Sequence, residues 1–145
     1  MKVNAAMTPK VRLISPDQSI CDAANLMAEI DAGVVPVAEN NLLVGMVTDR
    51  DIAIRAVAQG KSPDTKVREV MTREILYCFD DDSLDEVARN MSRNQVRRLP
   101  VLSHAMCLVG IFSLGDLARH QEPEAVGRAL YRVATPSRIH SQTAH

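Results

Sequence analysis

Leu43-Val44-Gly45-Met46-Val47-Thr48-Asp49-Arg50-Asp51 is answered later in the chain by Leu108-Val109-Gly110-Ile111-Phe112-Ser113-Leu114-Gly115-Asp116. Each stretch reads as an apolar strand that runs into a hydroxyl residue, with a carboxylate three positions on. That is the spacing of a helix start. One such stretch would be ordinary. Two mark an internal repeat, and repeats govern how the rest of the chain is read.

Working outward, Met7-Thr8 recurs as Met71-Thr72, and Asp17, Ser19, Ala24 and Met27 recur as Asp81, Ser83, Ala88 and Met91, all 64 positions on. Pro36-Val37 recurs as Pro100-Val101 at that offset, whereas Gly45 and Asp51 recur as Gly110 and Asp116 at an offset of 65. The slip of one residue falls in a polar stretch between two strands, where a turn absorbs an insertion.

Each copy predicts the same elements. A short strand comes first (residues 11–14 and 75–79). A helix follows from Ser19 or Ser83, with Asp22 or Glu86 at the capping-box position. Ile20, Ala23, Ala24 and Met27, then Leu84, Val87, Ala88 and Met91, give those helices apolar faces. Two strands (34–38 and 42–47; 98–102 and 107–112) form a hairpin. A second helix closes each copy, at 49–59 ahead of Gly60 and at 114–120. The fold class is α/β (α+β) with order β-α-β-β-α, twice, the two copies packed together because neither has much core alone. The expected organisation is a first repeat at 1–60, a linker at 61–66, a second repeat at 67–122, and a C-terminal segment at 123–145. In that segment Val126, Ala129, Leu130 and Val133 form the stripe of an amphipathic helix ended by Pro136, and a polar, frayed tail runs from 137 to 145. The stripe needs a surface, either a second copy of the chain or its own repeat.

Composition excludes several classes. The chain has 145 residues, net charge −1 and 3% aromatics, with both charge signs dispersed. Neither a basic block nor a base-stacking platform is present, so a polymeric nucleic acid is not the expected partner. No stretch is long and apolar enough for a membrane span or a signal peptide, and Cys21, Cys78 and Cys107 lie outside any paired motif. The expectation is a cytoplasmic protein with reduced thiols. No nucleophile elbow, phosphate loop or metalloprotease motif occurs, so no enzyme is expected. His104, His120, His140 and His145 lack ligand spacing to another His or Cys, and Asp80-Asp81-Asp82 reads as a turn, so no metal site is expected.

Thr48 with Asp51 and Ser113 with Asp116 carry the chemistry, and two readings stand side by side. The first is a capping box that needs no ligand. In the second, free N–H groups at the helix start attract phosphate and the hydroxyl donates to it. The carboxylate then accepts both hydroxyls of a ribose, and the strand glycine lets a flat base approach the backbone.

The order Met-Thr, Asp-x-Ser, Pro-Val, Leu-Val-Gly and (Thr/Ser)-x-x-Asp, in two copies, resembles the CBS-domain pair (Bateman module) over about residues 3–121. The stretches 44–53 and 95–101 look like the small stand-alone bacterial members, the mycobacterial hypoxic response type. The resemblance implies a pseudo-twofold pair with two clefts that take AMP, ADP or ATP, less often S-adenosylmethionine, and no required cofactor. It implies that Asp116 and Asp51 hold ribose while Ser113 and Thr48 face phosphate. It places Arg97 and Arg98 on the phosphates of one site and the uncharged Gly33 and Val34 in the other, where Arg50 is the nearby cation. It sets adenine against Thr8 to Val11 or Thr72 to Ile75. A phosphorylated ligand should therefore prefer the site with Arg97 and Arg98. Two functions remain open: a sensor of adenosine nucleotides, or a protein-interaction and dimerisation module of stress-response type with vestigial clefts. A homodimer is expected in either case, and the cellular target is not named by the sequence.

Overall fold

The structure is a computed structural model, and it describes residues 1–136. The tail at 137–145, with His140 and His145, lies outside the described residues. The chain divides into two compact units. One is Arg12–Ile75. The other joins Met1–Val11 to the chain from Leu76 onward.

In the first of these units, helix α2 (Ile20–Ile30) starts at a Ser19 cap, with the Asp22 N–H donating to Ser19 Oγ at 3.0 Å and the Ser19 N–H to Asp22 Oδ2 at 3.3 Å. Such a cap is worth about 1 kcal/mol. The helix ends at Asp31, whose φ of 54° is the left-handed conformation of a helix C-terminus. Strands β2 (Val34–Glu39) and β3 (Leu42–Thr48) pair antiparallel through Asn40 and Asn41, both at positive φ (53° and 65°). Two left-handed residues match the twist of a two-residue hairpin, and Asn tolerates them. β3 runs straight into helix α3 (Asp49–Arg55). A short 3-10 turn follows at Val57–Gln59, then Gly60 at φ 72°.

The other unit repeats this plan with a four-stranded sheet, ordered β1 (Thr8–Pro9), β6 (Leu108–Ser113), β5 (Arg98–Leu102) and β4 (Cys78–Phe79). Helix α4 (Leu84–Asn94) starts at the Ser83 cap and ends at Gln95, φ 55°, the repeat equivalent of Asp31. Helix α5 (Leu114–His120) follows β6, and helix α1 (Val3–Ala6) precedes β1. The extra residue sits in the β5–β6 turn, where Met106 takes a φ of 66°.

The two cores occupy equivalent repeat positions. Ile20, Ala23, Met27, Val35, Val37 and Val47 are buried in one, and Leu84, Val87, Met91, Leu99, Val101 and Phe112 in the other. Each of the buried side chains larger than alanine is worth about 2 kcal/mol.

Three expectations are corrected. The strand at residues 11–14 shrinks to a single bridge, Ile14 with Val37, and the one at 75–79 to Cys78–Phe79. Both lie at the edge of their unit, where few backbone groups find a partner. Ala24 is exposed and Leu26 takes the buried place on α2, because the face is set by what packs on it rather than by spacing alone. The helix expected over 49–59 stops at Arg55. The segment Val67-Arg68-Glu69-Val70 packs within the Arg12–Ile75 unit. Val67 and Val70 are fully buried in the Arg12–Ile75 core, and the Val67 and Arg68 N–H groups donate to Gln18 and Pro16 carbonyls at 2.8 and 2.9 Å. Val3 and Ala6 enter the other core in the same way, with the Val3 N–H on the Asp82 carbonyl at 2.9 Å.

The C-terminal helix, α6 (Pro123–Ala134), docks on its own unit. Ala129 and Val133 are buried and α6 packs along α4, while Leu130 and Tyr131 of the expected stripe and its flank stay exposed.

Candidate functional site

Both hydroxyl–carboxylate pairs form at the junction of a strand and a short helix. In the Arg12–Ile75 unit the Thr48 N–H donates to Asp51 Oδ2 at 3.0 Å and the Asp51 N–H to Thr48 Oγ1 at 2.9 Å. Thr72 Oγ1 donates to the same Oδ2 at 3.4 Å, and Arg55 Nε lies 3.8 Å from Oδ1. In the other unit the Ser113 N–H donates to Asp116 Oδ2 at 2.9 Å and the Asp116 N–H to Ser113 Oγ at 3.1 Å, while Arg119 Nη1 donates to Oδ1 at 2.8 Å.

Asp51 and Asp116 are 4% and 5% exposed, and they are the buried charged residues of the described chain. Burial of a carboxylate is costly unless it is hydrogen-bonded, and no buried side-chain polar atom among the described residues lacks a partner. The capping box is therefore complete without a ligand. A carboxylate nevertheless accepts about four hydrogen bonds. Asp116 uses two, which leaves lone pairs for the hydroxyls of a sugar.

Strand pairing decides what surrounds each pair. Arg98 stands opposite Ser113 in register, and the Leu114 N–H donates to the Arg97 carbonyl at 2.8 Å. Arg97 and Arg98 thus flank the start of α5. Both are exposed, and neither has an ion-pair partner among the described residues. At the equivalent place Val34 stands opposite Thr48, and the Asp49 N–H donates to the Gly33 carbonyl at 2.9 Å. A Cβ on Gly33 would come within 2.7 Å of Asp49 Oδ2. An acid therefore crowds the position that carries Arg97 in the other copy. Arg50 is half-buried and makes no ion pair among the described residues.

The Met-Thr stretches lie beside these junctions. Thr8 pairs with Ile111 on β6, which leads into Ser113, and Thr72 bridges Met46 on β3, which leads into Thr48. Val11 is half-buried and takes part in no strand pair of this kind. The neighbours of Gly45 and Gly110 correct one reading. A Cβ on Gly45 would lie 2.8 Å from the Thr72 carbonyl, and one on Gly110 2.5 Å from Met7 Sδ and 2.9 Å from the Thr8 carbonyl. The space that these glycines leave is filled by the Met side chain and the Thr carbonyl of the Met-Thr segments, not held open for a base.

Sequence spacing did not foresee Arg55 and Arg119, although a basic residue three or four positions after the acid, on one helical face, was the available signal. Nor did it foresee that folding brings His104 Nε2 to 2.8 Å from Asp81 Oδ1, with the ring stacked on Phe79 at 4.4 Å. Ligand-capable atoms of Asp80, Asp81 and His104 lie within 4.8 Å of one another. Asp80 and Asp81 still form the turn that their sequence predicts.

No helix among the described residues is long and apolar enough to cross a membrane. The family described as the CBS domain matches residues 3–57 and 67–122. The CBS domain-containing protein YhcV of Bacillus subtilis is 43% identical over 133 residues, covering 91% of this chain and 94% of its own length. Hypoxic response protein 1 of Mycobacterium tuberculosis is 34% identical over 137 residues, covering 93% and 95%. A crystal structure of hypoxic response protein I with two coordinated zinc ions covers 84% of this chain and all of that one, at TM-score 0.76 and 34% identity. The structure of CBSX2 of Arabidopsis thaliana in complex with AMP covers 81% and 93%, at TM-score 0.71 and 29% identity. With the repeat, the strand–helix junctions and these likenesses in agreement, the chain belongs to the CBS-domain family, as a tandem pair of repeats that is a regulatory module and not an enzyme.

Proposed function

We propose that this chain senses adenosine nucleotides, holding AMP, ADP or ATP at the strand–helix junctions, and that the Ser113–Asp116 site binds phosphorylated ligands best. The observation that carries this reading is the placement beside the start of α5 of two arginines, Arg97 and Arg98, that have no ion-pair partner among the described residues. Guanidinium groups bind phosphate in a bidentate way, and exposed cations without carboxylate partners are free to do so. Asp116 would accept the ribose hydroxyls and Ser113 would face the phosphate. Asp51 and Thr48 would play the same roles beside Gly33 and Arg50, with less positive charge. Thr8 lies beside the Ser113 junction, as a base-contacting residue would. Similarity to a protein solved with AMP supports the ligand class.

The test is calorimetric titration of the full chain with AMP, ADP, ATP, S-adenosylmethionine and plain adenosine. Saturable binding is expected with a dissociation constant from micromolar to sub-millimolar, about −5 to −8 kcal/mol. Asp116→Ala should weaken it more than Asp51→Ala. Arg97→Ala with Arg98→Ala should weaken AMP, ADP and ATP and spare adenosine; equal losses for all four would remove the arginines from the site. Sedimentation with and without ligand reads self-association, which a regulatory ligand shifts only by preferring one state.

A second reading rests on the completeness of the capping boxes. If no ligand produces heat or thermal stabilisation, Thr48–Asp51 and Ser113–Asp116 are structural, and the module acts by binding another protein or a second copy in a cytoplasmic stress response.

A further inference from the structure

Helices α4 and α6 run side by side in the same direction. At one end Gln121 Nε2 donates to Asp85 Oδ1 at 3.4 Å. At the other, Gln95 Nε2 donates to the Arg132 and Thr135 carbonyls at 3.1 and 2.8 Å. Between these pins lies a groove of about 590 Å³. Arg89 and Arg93 line it from α4, and Arg128 and Arg132 from α6. In each helix the two arginines are four residues apart, so they share a face, about 6 Å apart along the axis. Ala88, Ser92, Ala125 and Ala129 line the space between them, and small side chains are what keep it open.

None of the four arginines makes an ion pair among the described residues. The sequence from 137 to 145 holds no Asp or Glu either. Asp85, the acid in the lining, is at the end of the groove pinned by Gln121. Like charges at i and i+4 weaken a helix, and two such pairs on opposite walls repel each other as well. The four guanidinium groups are exposed, and an external anion seated between them would relieve their repulsion. The volume falls in the range of small-molecule sites. Forked guanidinium groups on two walls suit an anion with several phosphate groups, each gripped by its own donors.

We propose that the α4–α6 groove binds a small polyphosphorylated anion, in a site that shares no residue with Ser113, Asp116, Arg97 and Arg98. This site depends on none of the nucleotide chemistry proposed above.

Tripolyphosphate and ATP are titrated into the full chain in phosphate-free buffer at low and raised salt. The variants are Arg93→Gln with Arg132→Gln, Ala125→Glu, Arg97→Ala with Arg98→Ala, and Asp51→Ala with Asp116→Ala. Circular dichroism checks that each is folded. In the background of the last two variants combined, which removes the nucleotide site proposed above, the expected result is saturable binding that weakens as salt rises and falls about tenfold or more when either of the first two variants is added. Tripolyphosphate binding marks a free phosphate chain and ATP binding alone a nucleoside-borne one, and either counts only when the first two variants lose it. In that background, binding retained when either of the first two variants is added, or no binding before they are added, overturns the proposal. So does an absence of binding to the folded native chain, or capture of a poly-glutamate peptide in place of both phosphates.

Discussion

At the scale of single residues, the two strand glycines and the helix glycine respond oppositely to a methyl group. Gly110→Ala would drive a Cβ toward the Thr8 carbonyl, which is backbone and gives way only if β1 shifts. The expected cost is about 1–3 kcal/mol in urea unfolding. Gly127→Ala on α6 meets nothing within 4 Å and replaces a poor helix former, so a gain of about 0.5–1 kcal/mol is expected. The thiols separate by the same kind of reasoning. Burial, with the Asp82 charge adding to it, pushes Cys78 up to about 12, while Cys21 and Cys107 are exposed. A thiol reagent at about pH 8 should label Cys21 and Cys107 quickly and Cys78 only on unfolding, because the thiolate is the reactive form. Asp81 offers a pH test. The hydrogen bond from His104 holds its carboxyl below the usual carboxylate range. A lowered carboxyl stabilises the fold above that range, and the contribution is lost as pH falls through the lowered value. In ¹³C carboxyl titration His104→Ala should move the Asp81 midpoint up; an unmoved midpoint would mean that the pair does not form in solution. The acids were legible in the sequence, whereas their partners were not. Asp116 and Arg119 share a helix and fall within pattern reading, but Asp81 meets His104 across 23 residues of chain.

At the scale of elements, helices were more legible than strands, and the reason is local. Ser19, Thr48, Ser83 and Ser113 each cap the helix that follows them, with donor and acceptor three residues apart, so the sequence itself contains both partners. A strand end is set by partners far along the chain, and the edge strands came out shorter than their apolar runs. The C-terminal helix shows the difference clearly. Its stripe announced a surface to be covered, but spacing could not choose between a second copy and its own unit. Ala129 and Val133 choose the latter, packed along α4 with Gln95 pinning the two C-terminal ends. Val133→Ala should cost about 1–2 kcal/mol by removing buried methyl groups. Leu130→Ala, at an exposed site, should stay within about 0.5 kcal/mol. Equal effects in denaturant unfolding would mean that α6 does not dock as described. This contact also gathers four arginines that look dispersed in the sequence, which is why composition showed no basic block.

At the scale of the whole molecule, the unit of sequence repetition and the unit of packing are not the same stretch. Repetition runs from Met7-Thr8 to Asp51 and from Met71-Thr72 to Asp116. Packing joins Arg12–Ile75 in one body and brings Met1–Val11 to the chain after Leu76. Each repeat's leading segment is thus part of the core of the unit built on the other repeat. Val67, Val70 and Met71 are at most 5% exposed in the Arg12–Ile75 unit, and Val3 is fully buried in the other. No periodicity within one repeat reveals this, since the two leaders are near-equivalent and would fill either core. Fragments should discriminate. A piece spanning residues 12–75 keeps its three buried leader side chains and the backbone bonds from Val67 and Arg68. A piece cut by repetition at 1–60 loses all of them, at about 1.5–3 kcal/mol for each buried side chain. Domains near 60 residues are marginal even when whole. The 12–75 fragment should therefore give a cooperative urea transition and dispersed amide signals, and the 1–60 fragment neither. Adding a peptide of residues 61–75 to the 1–60 fragment should restore its signals, because it returns the missing part of the core. A 1–60 fragment that folds as well alone as 12–75 would show that the leaders decorate these cores rather than complete them.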